Sequence, residues 1–139
     1  MKTFLIKYPD KVLSAILYAV AAHSILMGLA LISQPVAVME WIGFRSGYER
    51  FFPAQGGVFH LLMAVAYLLG ATNSQKYYLL IAFSIFVKAA ATMFLLVYCI
   101  TVEFKWIILV SGINDGVMFT AIFMAFRRYI YFQTINGKV

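Results

Sequence analysis

The stretch WIILVSGINDGVMFTAIFMAF, residues 106–126, decides the fold: it is apolar almost throughout, yet it carries Asn114 and Asp115 at its middle. At 1.5 Å per residue it is long enough to cross a hydrocarbon core of roughly 30 Å. Three further runs of the same kind occupy residues 12–32, 51–71 and 77–100. The 139-residue chain around them is 64% hydrophobic and only 12% charged, with a mean hydropathy of +0.91. Backbone polar groups in lipid must bond within their own segment, so the runs read as transmembrane α-helices. The expected helices cover about 12–33, 50–71, 75–100 and 104–128. The expected fold is all-α integral membrane, a single domain over 1–139 built as an antiparallel bundle of four transmembrane helices.

The start MKTFLIK (1–7) and the small residues of AVAAHS (19–24) raise the alternative of a cleaved signal peptide. The apolar run exceeds a normal signal core, so a retained first helix is expected. Cys99 is the only cysteine, which rules out an internal disulfide and a thiolate metal cluster. The net charge of +6 does not imply a nucleic-acid partner, because the basic residues sit at helix ends. Lys2, Lys7, Lys11, Lys76, Arg127, Arg128 and Lys138 fall at the termini and second loop, whereas Arg45, Arg50 and Lys105 fall in the first and third loops. That seven-to-three split predicts cytoplasmic termini in a bacterial inner membrane. Lys2, Lys7, Arg127 and Arg128 are placed to meet anionic headgroups.

TNSQ (72–75) and TVEFK (101–105) read as tight loops, with Asn73 or Ser74 capping the third helix, Thr101 capping the fourth and Glu103 in its first turn. The longer segment SQPVAVMEWIGFRSGYER (33–50) predicts a short helix after Pro35, lying in the interface with Trp41 and Tyr48 at headgroup depth. Ser46 and Glu49 fit a capping box. Pro53 sits early in the second helix, as a kink or as its true start. The tail from Arg127 continues the fourth helix, with Tyr129, Tyr131 and Phe132 as anchors.

The polar residues inside the spans are His23, His60, Lys88, and Asn114 with Asp115, so each helix places one near its centre. They share faces with small residues, which helices in lipid turn toward one another. Ala19 and His23 stack, with Ser24 and Gly28 adjacent; Pro53, Gly57, His60, Ala64 and Tyr67 form a stripe, as do Ser84, Lys88 and Thr92. Ser111 lies one turn from Asp115. Gly56, Gly57, Gly112 and Gly116 are expected to draw the second and fourth helices together. A lone charge at the bilayer centre costs at least ~2.5–3.5 kcal/mol, so Lys88 and Asp115 are expected to pair, with Asn114 or a histidine completing the hydrogen bonds. Such a pair can serve only to fix helix register. In membranes, ionisable groups at this depth more often mark a ligand, proton or ion path.

Four function classes follow. The first is a non-catalytic accessory subunit binding a quinone or lipid, its head at His60 or Lys88 and its tail along aromatic walls of Phe59, Tyr67, Phe83, Phe86, Phe119 and Phe123. The second is a carrier of b-type haem with His23 and His60 as axial ligands, since Ala19 and Gly56 one turn earlier leave room for a flat ring. The third is a proton-coupled transporter, which a chain this thin would form as a dimer. The fourth, a stand-alone enzyme, has little support: there is no nucleophile–base motif, no HExxH and no Gly-rich phosphate loop. Expected partners are the lipid bilayer and either other membrane subunits or a second copy of the chain.

RFFPAQGGVFHLLMAVAYLLGA (50–71), a helix opening on arginine with a Gly-Gly pair and closing at small residues, resembles the small four-helix bacterial proteins of the DoxX-like group. Chain length, helix count and the long first loop are similar too. The resemblance implies a quinone-linked redox subunit and carries over no functional residue, because His60, Lys88 and Asp115 match no pattern of that group.

Overall fold

The first apolar run forms α1, Pro9–Ser33. Pro9 occupies the first helical position, where a missing N–H costs nothing, and Asp10 sits in the first turn beside the positive end of the dipole. The computed structural model describes residues 9–43 and 50–136. The expected capping box at Ser46 and Glu49, the interfacial Tyr48, and Lys2, Lys7, Arg45 and Lys138 lie outside the described residues.

Gln34 ends α1 in the left-handed region at φ 43°, with its N–H still bonded to Ala30 O at 2.9 Å. Pro35 then opens the short helix α2, Val36–Trp41, which stops at Gly43, φ 95°. Arg50 joins the two ends of the long connection: its guanidinium donates to Ser33 O (3.2 Å), and its own carbonyl accepts from Gln34 Nε2 (2.8 Å). Next, α3 runs Phe51–Thr72, α4 runs Tyr78–Thr101 and α5 runs Trp106–Ile135. Pro53 is the third residue of α3, so its missing N–H falls among first-turn donors that have no helical partner in any case.

Two expected caps are corrected. Asn73 Oδ1 accepts from Lys76 N at 2.9 Å, which stabilises a turn ahead of α4, whose first residue is Tyr78. Thr101 closes α4 through a bond to Val97 O, and α5 starts only after the extended Lys105. Glu103 therefore precedes the helix and pairs with Lys105 at 3.2 Å. The last helix extends seven residues beyond its expected end at 128, since no glycine or proline interrupts it before Gly137.

All four long helices have the length and composition to cross a membrane, and the chain is compatible with a small multi-pass membrane protein. Their outward faces agree: Leu26, Phe86, Phe94, Met124 and Ile100 are exposed, the last at 84%. Such a surface is favourable only against other apolar matter.

Inward packing runs round a ring: α1 on α3, α3 on α4, α4 on α5, and α5 back on α1, with no close backbone approach across either diagonal among the described residues. The α1–α3 seam is the most intimate. Ser14 Oγ donates to Ala71 O at 2.7 Å near one end, while Gly28 meets Gly57 near the other. The same register sets buried Ala21 opposite buried Ala64. A Cβ on Gly57 would lie 2.6 Å from Gly28 O and 2.8 Å from Ile32 Cγ1, so only glycine allows this approach.

Among the described residues the main apolar cluster lies to one side, with Met39 and Cys99 buried apart from it in the other half. Leu13, Leu17, Val20, Tyr67, Ile81, Met118, Ile122 and Tyr129 cluster in the half where α1 and α4 begin and α3 and α5 end, here termed the near half. No member of that cluster lies beyond the level of His23, His60, Lys88 and Asp115. Across the far end, Trp41 of α2 meets Trp106, the first residue of α5, edge to face with centroids 5.6 Å apart.

Candidate functional site

The polar residues lie at the boundary between the core and the far half. Lys88 and Asp115 are 3% and 7% exposed, and Lys88 Nζ lies 2.5 Å from Asp115 Oδ1. Gly116 packs against Thr92, one turn along from Lys88, so both charges sit on the α4–α5 seam. At that depth each charge alone would cost at least ~2.5–3.5 kcal/mol, and the contact neutralises both. Ser84 and Thr92 share the Lys88 stripe, but their hydroxyls donate back to Leu80 O and Lys88 O and bring no free donor to the site.

Asn114 departs from expectation. Consecutive helical residues point about 100° apart, so Asp115 faces α4 while Asn114 turns to α1. There its Nδ2 lies 2.9 Å from His23 Nε2, and it does not complete the ion pair. An amide nitrogen can only donate, which makes His23 Nε2 the acceptor and places the ring proton on Nδ1. That Nδ1 is buried and has no partner, and neither has the buried Ser24 Oγ next to it in sequence. Two polar groups thus stand unsatisfied beside an ion pair. Buried orphans of this kind are rare and each needs a reason.

His60, on α3, is half-buried and within electrostatic range of Lys88, Asp115 and His23. Tyr67, two turns deeper and 1% exposed, is in electrostatic range of Asp115. The five polar residues thus form one layer linking α1, α4 and α5 by direct contacts, with α3 alongside.

Other expected lining residues lie elsewhere. Of the aromatic walls, Phe59, Phe83 and Phe86 point outward at 52–68% exposure, because they fall between the buried stripes of α3 and α4. Phe119 stacks on Phe123 at 5.8 Å, and of the six expected wall residues Tyr67 is the one in the core. Ala19 is exposed, and a Cβ on Gly56 would meet nothing within 4 Å. The glycines join ring neighbours rather than α3 to α5: Gly57 abuts α1, while Gly112 and Gly116 abut Leu95, Leu96 and Thr92 of α4. The reason is geometric, since α3 and α5 sit on a diagonal of the ring.

Ser24 was not among the expected site residues. Its place beside His23 on a glycine-bearing face was the available signal. Among the described residues, no group of three or more His, Cys, Asp or Glu side chains is placed to hold a metal ion. No protein-family model matches the chain, and comparison with curated proteins and with solved structures finds no match.

Proposed function

We propose that the chain is a four-pass antiparallel bundle of the bacterial inner membrane, and that its polar layer receives the head of a lipophilic guest bearing a hydrogen-bond acceptor. A quinone carbonyl or a lipid ester has that chemistry. The observation that carries the reading is the buried, unpartnered His23 Nδ1, whose proton is assigned by the Asn114 contact and which lacks only an acceptor. An acceptor there would satisfy a donor whose desolvation otherwise costs about 1–3 kcal/mol. The one-sided apolar cluster supports the same reading, since the far half is where a guest's tail would find side chains that are only part-buried.

The chain then acts as an accessory, non-catalytic subunit, in line with the DoxX-like layout and its quinone-linked members. In this reading both termini are cytoplasmic on the Lys/Arg split, and α2 lies in the opposite interface, where Trp41 and Trp106 meet. A b-haem bound through His23 is less well supported, because Nε2, the usual ligating atom, is engaged by Asn114. The test is purification in mild detergent followed by solvent extraction and mass spectrometry. A carbonyl-bearing lipophile should co-purify with the protein and be depleted in His23→Leu. Recovery of no carbonyl-bearing lipophile enriched over the bulk lipid, or an unchanged yield from His23→Leu, would overturn the proposal.

A further inference from the structure

A recess of about 500 Å³ opens at the near end between the start of α1, the end of α3 and the end of α5. It is separate from the polar layer, and its lining is rich in hydrogen-bond acceptors. Ser14, Thr72 and Ser74 line it, but each hydroxyl proton is already donated: to Ala71 O (2.7 Å), Leu69 O (2.8 Å) and Gly70 O (3.0 Å). What these hydroxyls offer an occupant is lone pairs. Gln133 adds another acceptor. Its Oε1 is buried without a partner. Asp10 contributes a carboxylate from the first turn of α1, and among the described residues Lys11 beside it is the cationic lining residue.

We infer that this recess binds a primary ammonium group, and that the group is the head of an ethanolamine phospholipid. An ammonium has three donors and no acceptor, which complements a site offering a carboxylate, a stranded amide oxygen and hydroxyl lone pairs. Lys11 lies beside Asp10, as a phosphate attached to that ammonium requires. The recess extends along α1 to Ala15 and Tyr18, which gives the acyl chains a route onto the apolar helix surface. This inference uses the membrane placement proposed above but not the guest at the polar layer.

The full chain, reconstituted in bilayer discs of mixed phosphatidylethanolamine and phosphatidylglycerol, is released and examined by native mass spectrometry. Phosphatidylethanolamine should be retained preferentially. Asp10→Asn and Gln133→Leu should each weaken retention roughly tenfold, the scale of one charge-assisted hydrogen bond. Asp10 is exposed, so its variant keeps the test intact if Gln133→Leu misfolds. Competition by soluble O-phosphoethanolamine would assign the same ammonium chemistry to a free solute. Equal retention of the two lipids, or retention unchanged in a folded Asp10→Asn, would refute the ammonium site. Both readouts follow an added lipid of known headgroup, so they are independent of whatever lipophile co-purifies at His23.

Discussion

Gly56 and Gly57 are adjacent glycines on one helix, and the structure predicts opposite effects when each becomes alanine. A Cβ at Gly57 would sit 2.6 Å from Gly28 O, a backbone atom that cannot rotate away, and 2.8 Å from Ile32 Cγ1. Restoring ordinary contact requires α1 and α3 to part by roughly half an ångström or more, and a gap of that size forfeits about a quarter of the dispersion energy of each affected contact. Overpacking of this kind costs about 1–3 kcal/mol. Replacing a mid-helix glycine returns about 0.5–1 kcal/mol of backbone entropy, so Gly57→Ala should be destabilising by about 1–2 kcal/mol. Gly56→Ala meets nothing within 4 Å, so the entropy term acts alone and the variant should be as stable as the parent or slightly more so. Equilibrium unfolding in mixed detergent micelles with rising dodecyl sulfate, followed by circular dichroism, gives both values. Equal effects of the two substitutions would show that the α1–α3 seam is not packed as described.

Three further outcomes are expected. Lys88→Met should cost about 3–5 kcal/mol by stranding the Asp115 carboxylate, and Lys88→Met with Asp115→Leu should recover much of it; a double variant as unstable as the sum of the singles would exclude the pair. Ser14→Ala removes the bond to Ala71 O and should cost about 0.5–1.5 kcal/mol in the same titration, so no change would mean the hydroxyl makes no net contribution. In a Cys99→Ala background, cysteines placed at positions 2 and 138 should resist a membrane-impermeant maleimide added to intact spheroplasts; efficient labelling would reverse the orientation argued from the Lys/Arg split.

The helices were legible because length and hydropathy act locally. Each apolar run appears as a helix within a few residues of its expected bounds, apart from the extended end of α5. Depth was legible too, since counting residues from a loop measures distance along a span. Azimuth was not. Whether Asn114 turns to α4 or α1, and whether Phe59 or Phe83 faces the core, depends on which helices are ring neighbours, and no single helix encodes that. The decisive pattern was nevertheless present: Ser14, Ala21 and Gly28 recur every seven residues, as do Gly57, Ala64 and Ala71. A seven-residue repeat marks a seam between two helices wound round each other. Pairing one such stripe with the other, in opposite directions, would have placed α1 on α3 and left the glycines of α5 for α4. The turn at Asn73 differs from the expected cap for another reason: an Asx side chain stabilises a turn and a helix start by the same bond, and the two look alike in sequence.

The ion pair also bears on how the protein is made. Lys88 and Asp115 are 27 residues apart, so the lysine leaves the ribosome before its partner does. During that interval α4 carries an uncompensated charge that its leucines and phenylalanines must outweigh for it to stay in the bilayer. Arrival of α5 removes the charge and locks the hairpin in the same event. A chain interrupted in the loop at 102–105 never reaches that event. It leaves an apolar helix with a bare lysine at its centre, a local chemical difference between an unfinished copy and a finished one.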